Sequence, residues 1–99
     1  MMHVVNMVSP RTGRPVANQF ILTEYGFTLF QSYNSPIVEI DRTNNVIIVY
    51  RDYDYSNTTR KYRNEFMTEQ GFDEMATSKG FEKFLREGKI GEFKIVKAV

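Results

Sequence analysis

The sequence predicts an α+β domain: a mostly antiparallel sheet of about five to six strands with two helices packed on one face. Three observations carry this. Residues 3–50 show short apolar runs of period two, broken by Pro, Gly and Asn. From Tyr55 the large side chains recur at helical spacing. The tail Phe93, Ile95, Lys97, Val99 returns to period two. Strands followed by helices, without strict alternation, argue for helices segregated to one side of a sheet.

The elements follow in order. His3–Val8 is a β-prone run, and Ser9-Pro10-Arg11-Thr12-Gly13-Arg14-Pro15 is a loop. Val16–Thr23 resumes a strand, and Glu24-Tyr25-Gly26 turns it, with Gly26 free to take a positive φ. Phe27–Tyr33 alternates with aromatics on both faces. After Asn34-Ser35-Pro36, Ile37–Asp41 and Val46–Tyr50 flank Arg42-Thr43-Asn44-Asn45, where Asn suits a left-handed turn position. Ser56 or Asp54 caps a helix over Ser56–Gln70, with Tyr55, Thr58, Tyr62 and Phe66 as its core stripe. Gly71 and Phe72 supply its C-terminal stop. Thr77 or Ser78 caps a shorter helix that carries Phe81, Phe84 and Leu85 and ends at Gly88.

Size and composition bound the function. The chain of 99 residues reads as a single domain, 1–99. Its 13 Lys and Arg against 12 Asp and Glu leave no basic or acidic tail, so any electrostatic site is local. With no Cys and one His there is no disulfide framework, thiolate zinc site or cysteine nucleophile. No apolar run approaches the roughly 18 residues of a spanning helix. The expectation is a cytoplasmic protein with no membrane contact.

Chemistry-bearing constellations are sparse. Asp52 and Asp54 are spaced to point the same way from an extended segment, as two ligands of a hard cation would, but no third acid or base stands nearby. A position just before a helix gives them an alternative role beside its positive end. His3 has no evident orienting partner. No nucleophile elbow, phosphate loop or dinucleotide fingerprint occurs. The expectation is a protein without catalytic residues, metal or cofactor.

Recognition features are more numerous. Pro10-Arg11-Thr12-Gly13-Arg14-Pro15 resembles the AT-hook core with Thr12 inserted, which changes the spacing of its arginines. Two arginines on a stiff turn suit phosphate or carboxylate. Arg60, Lys61 and Arg63 read as a basic helix face away from the core stripe. Six tyrosines, Tyr33 among them, suggest a tyrosine-bearing sheet face for contact. Lys79–Phe84 has the letters of an RNA-recognition element but helical spacing, so its phenylalanines read as core.

The runs Ser9–Phe20, Phe30–Ser35 and Tyr55–Arg63 resemble short proteins encoded by bacteriophages and mobile elements, over about residues 9–67. The resemblance implies a small non-enzymatic binding protein in a bacterial host cell. Such a protein would engage a host or phage macromolecule, for example as an inhibitor of a host defence complex. The candidate binding residues are Arg11, Arg14, Tyr33, Arg60, Lys61 and Arg63. A protein partner is the first expectation, and nucleic acid gripped by the same basic groups is the alternative. Partner identity, strand order and oligomeric state stay open at this level.

Overall fold

The computed structural model describes residues 2–98. It is α+β, with a seven-stranded sheet in the order β1-β2-β3-β4-β5-β7-β6. The strands are β1 His3–Val8, β2 Pro15–Glu24, β3 Phe27–Ser32, β4 Ser35–Asp41, β5 Val46–Val49, β6 Lys89–Ile90 and β7 Phe93–Lys97. Strands β1 to β5 form an antiparallel meander. The chain then crosses through α1 (Asn57–Glu69), a 3₁₀ turn at Asp73–Met75 and α2 (Ser78–Glu87), and β7 returns parallel to β5.

Local chemistry sets most boundaries. Gly26 turns β2 into β3 at φ 88° and Asn45 closes the β4–β5 loop at φ 55°. Ser56, not Asp54, caps α1: its Oγ accepts from the Thr59 N–H at 3.1 Å. At the far end the Phe72 N–H donates to the Met67 carbonyl at 2.8 Å and the Gly71 N–H to Thr68 at 3.0 Å, with Gly71 left-handed. Thr77 caps α2 through the Gly80 N–H.

One face of the sheet meets the helices. Phe30, Val38, Ile40, Ile47, Val49 and Ile95 are buried there against Tyr62, Phe66, Met67, Met75 and Phe81. Phe30 and Phe66 stack with ring centroids 5.8 Å apart. Phe84 and Leu85 are half-buried at the margin of this core. On the other face, strand alternation places Phe20, Leu22, Leu29, Ile48 and Val96, and none of these is fully buried.

Several sequence expectations need correction. The buried sector of α1 is Thr59, Tyr62, Arg63, Phe66 and Met67. At about 100° per residue this is rotated by roughly 60° from the Tyr55–Thr58–Tyr62–Phe66 stripe. Tyr55 precedes the helix and is exposed, and Thr58 faces solvent. The rotation carries Arg63 inward. Strand β3 ends at Ser32 and β5 at Val49, one residue short in each case. Strand β6 is an addition, two residues long and too short for a periodicity to register. Among the described residues no tyrosine lies in a strand, so there is no tyrosine-bearing sheet face. The expected role of Val99 lies outside the described residues.

Candidate interface at one end of the sheet

Antiparallel connectivity brings distant segments to one end of the sheet. The β1–β2 loop, the β3–β4 turn, the segment after β5 and the start of α1 all lie there. Tyr33, Tyr50, Tyr53 and Tyr55 belong to these connections, whereas Tyr25 sits in the turn at the opposite end. The tyrosines are therefore gathered, but in loops.

The β1–β2 loop is internally bonded. The Gly13 N–H donates to the Ser9 carbonyl at 2.7 Å, and the Ser9 N–H donates to the Arg14 carbonyl at 2.9 Å. The Arg11 and Arg14 N–H groups donate to Ser9 Oγ and Thr12 Oγ1, both at 3.3 Å. Gly13 takes φ 72°, which its missing side chain permits. Arg11 and Arg14 are exposed, and among the described residues neither guanidinium has an ion pair or hydrogen bond.

Tyr33 opens the β3–β4 turn at φ 55°. Its N–H donates to the Asn18 carbonyl at 2.6 Å, where Asn18 is itself left-handed at φ 64°. Gln31 Nε2 donates to the Tyr33 carbonyl at 2.9 Å. These bonds hold an L residue where it rarely rests and leave Tyr33 46% exposed.

Beside Tyr33 opens a cleft of about 610 Å³, lined by Ser32, Ser35, Asp52, Tyr55, Ser56 and Thr59 among others. Its floor is a hydroxyl chain: Ser32 Oγ and Thr59 Oγ1 lie 3.0 Å apart, and Ser56 Oγ donates to Thr59 Oγ1 at 3.1 Å. Ser35 Oγ donates to Asp52 Oδ2 at 2.9 Å, and Arg51 lies 3.7 Å from the same carboxylate. Directly opposite Ser32 in the sheet, Gln19 is buried, with no partner for Nε2 or Oε1. The hydroxyl floor is not legible in the sequence because it exists only once β3 meets the start of α1, and Tyr55, expected in the helix core stripe, lines the cleft instead. The Tyr33–Asn34 pair between two strands was the available signal for the turn.

The basic helix face does not survive as a unit. Arg63 is 1% exposed. Its guanidinium lies 4.2 Å from the Phe81 ring centroid and 5.9 Å from that of Tyr53. It donates to the Tyr53 carbonyl at 2.9 Å, to Asn64 Oδ1 at 3.1 Å and to Ser78 Oγ at 3.3 Å. Burial pushes its pKa down, to about 10, which still leaves it charged at pH 7. Next to it, Tyr53 Oη donates to Glu82 Oε1 at 2.7 Å. That bond, reinforced by burial, pushes the phenol up to about 12. Arg60 is tied to the Asp54 carbonyl and to Asn57 Oδ1. Lys61 is exposed, with its ammonium 5.3 Å from the Tyr62 ring centroid.

Asp52 accepts from Ser35 Oγ, whereas Asp54 is exposed. Among the described residues no three His, Cys, Asp or Glu side chains lie close enough to share a metal ion. His3 is exposed on β1. No helix among the described residues is long and apolar enough to cross a membrane.

A family of unknown function, DUF8033, matches residues 2–83, and the chain belongs to it. The match runs from β1 into α2 and stops before β6 and β7. No curated protein and no solved structure matches.

Proposed function

For this member of that family we propose a non-enzymatic binding role, directed at a host protein inside a bacterial cell, of the kind that small phage proteins perform. Inhibition of a host defence complex is the biological outcome the reading implies. One observation carries it: a single end of the sheet gathers the exposed Arg11–Arg14 loop and the Tyr33–Tyr55 cleft. Tyrosine rings give contact area with little entropy to lose, and a pre-bent loop lowers the cost of ordering its arginines.

Charge at this end favours protein over nucleic acid. Asp52 lines the cleft beside Arg51, so this end of the sheet carries carboxylates as well as the Arg11–Arg14 loop. A mixed surface matches the polar rim of a protein interface, whereas phosphate tracking wants one sign.

The test is retention of bacterial lysate components on the immobilised chain, before and after nuclease treatment. A protein should be retained after nuclease. It should be lost from Arg11→Glu/Arg14→Glu and weakened by Tyr33→Ala. Loss of everything on nuclease treatment favours the nucleic-acid reading. Equal retention by parent and variants removes this end of the sheet as the interface.

A further inference from the structure

The two edges of the sheet are built differently. Edge strand β6 is two residues long, begins with exposed Lys89 and runs into Gly91. Shortness and a lysine are ordinary ways of blocking strand addition. Edge strand β1 is six residues, His-Val-Val-Asn-Met-Val, with no Lys, Arg, Asp, Glu or Pro. Val4 is 61% and Val5 57% exposed, and Val8 is also exposed. The helices pack chiefly over β3, β6 and β7, and of the β1 side chains only Met7 is buried in their core. A free backbone edge with uncharged, apolar side chains on both faces is an open template for another strand.

We infer that β1 pairs antiparallel with β1 of a second copy of this chain, joining two seven-stranded sheets into one. A two-fold axis normal to the sheet keeps both helix layers on the same side, so opposed residues must share a face. Placing the axis at Asn6 sets Val4 opposite the second copy's Val8, and Val5 opposite its Met7. Placing it at Val5 sets Val4 opposite Asn6, and His3 opposite Met7. Both registers bring apolar groups together and neither opposes like charges of fixed sign. A neutral strand offers no charge to select a foreign one, while its own pattern matches itself in length and face. The blocked β6 edge then stops the assembly at two copies. The pairing uses the backbone edge of β1, not the Arg11 and Arg14 side chains of the loop that follows it.

The test is sedimentation of the full chain over a rising concentration series. The mass should rise from one chain to two and stop. Val4→Lys/Val5→Lys, at two exposed sites, should keep its circular dichroism and urea midpoint yet associate about tenfold or more weakly. Because the chain has no Cys, a single introduced one reports contact. Asn6→Cys or Val5→Cys, according to register, should cross-link to itself under mild oxidation, whereas Tyr25→Cys at the β2–β3 turn should not. A parent that stays single throughout, one that grows beyond two copies, or a dimer that the lysines leave unchanged overturns the inference.

Discussion

Arg63 and the Arg11–Arg14 pair look alike in the sequence, yet the fold uses them in opposite ways. Arg63 lies over the Phe81 ring, which itself stacks on Tyr53, with a backbone carbonyl and two side-chain oxygens accepting its hydrogen bonds. Arg11 and Arg14 stand in water on a loop that bonds to itself through its backbone. The difference teaches what makes an arginine structural. A planar cation enters a core when an aromatic face covers it and fixed acceptors meet its edge. Where neither is supplied, the charge stays available for a partner.

The largest expected effect separates these roles through stability. Arg63→Ala should cost on the order of 3–5 kcal/mol, because it opens a cavity against Phe81 and takes the guanidinium donor from the Tyr53 carbonyl. Arg63→Lys should not restore the loss, since an ammonium cannot lie flat against Phe81. Phe66→Ala, in the stack with Phe30, should cost a similar ~3–5 kcal/mol. Urea titrations measure all three. A loss under about 1 kcal/mol for Arg63→Ala would place it with ordinary surface residues and dissolve the contrast.

Gln19 sharpens the comparison with a smaller effect of opposite sign. It is 0% exposed, like Arg63 a buried polar group, but its amide has no partner. Burying an amide unpaired costs roughly 1–3 kcal/mol. Gln19→Leu, of similar volume, should therefore raise the urea midpoint, where Arg63→Ala lowers it. A drop would mean that the amide makes bonds in solution that the fold does not display.

The folded Tyr53 keeps its proton to about 12, against 10.0 when free, chiefly through Glu82. Between pH 10 and 12 the unfolded chain then binds fewer protons at this group. The stability it contributes is thus whole below pH 10 and lost as pH rises to 12. Arg63, depressed to about 10 from 12.5, acts in the opposite sense in the same window, since its buried charge is relieved as it deprotonates. Tyrosinate absorbance is therefore a cleaner readout than global stability. One late-ionising tyrosine should vanish in Tyr53→Phe and ionise earlier in Glu82→Gln. Unchanged titration in both variants would refute the pairing.

The smallest expected effect on folding belongs to the loop. Arg11→Glu/Arg14→Glu should change stability by no more than about 0.5 kcal/mol, as exposed sites without partners do. Its consequence should fall wholly on partner retention. A clear loss of folding there would show that these arginines are structural after all.

Much of this molecule was legible in the sequence because it is written in local chemistry. Gly26, Asn45, Ser56, Gly71, Thr77 and Gly88 mark turns and caps through φ preference or a short side-chain oxygen, and each acts within a few residues. Period two gave the meander, since neighbouring strands joined by tight turns pair with little choice. The tertiary structure alone decided the rest. Spacing shows that α1 has a buried face, but the rotation about its axis is set by what it packs against. Here Phe30, Tyr53 and Phe81 turned Arg63 inward and Tyr55 outward. The docking of β7 beside β5 needed the whole crossover to be laid down first. The cleft, likewise, is the meeting of Ser32 with Thr59, 27 positions apart in the chain. Contacts at that separation depend on how layers stack, and no periodicity within either segment encodes it.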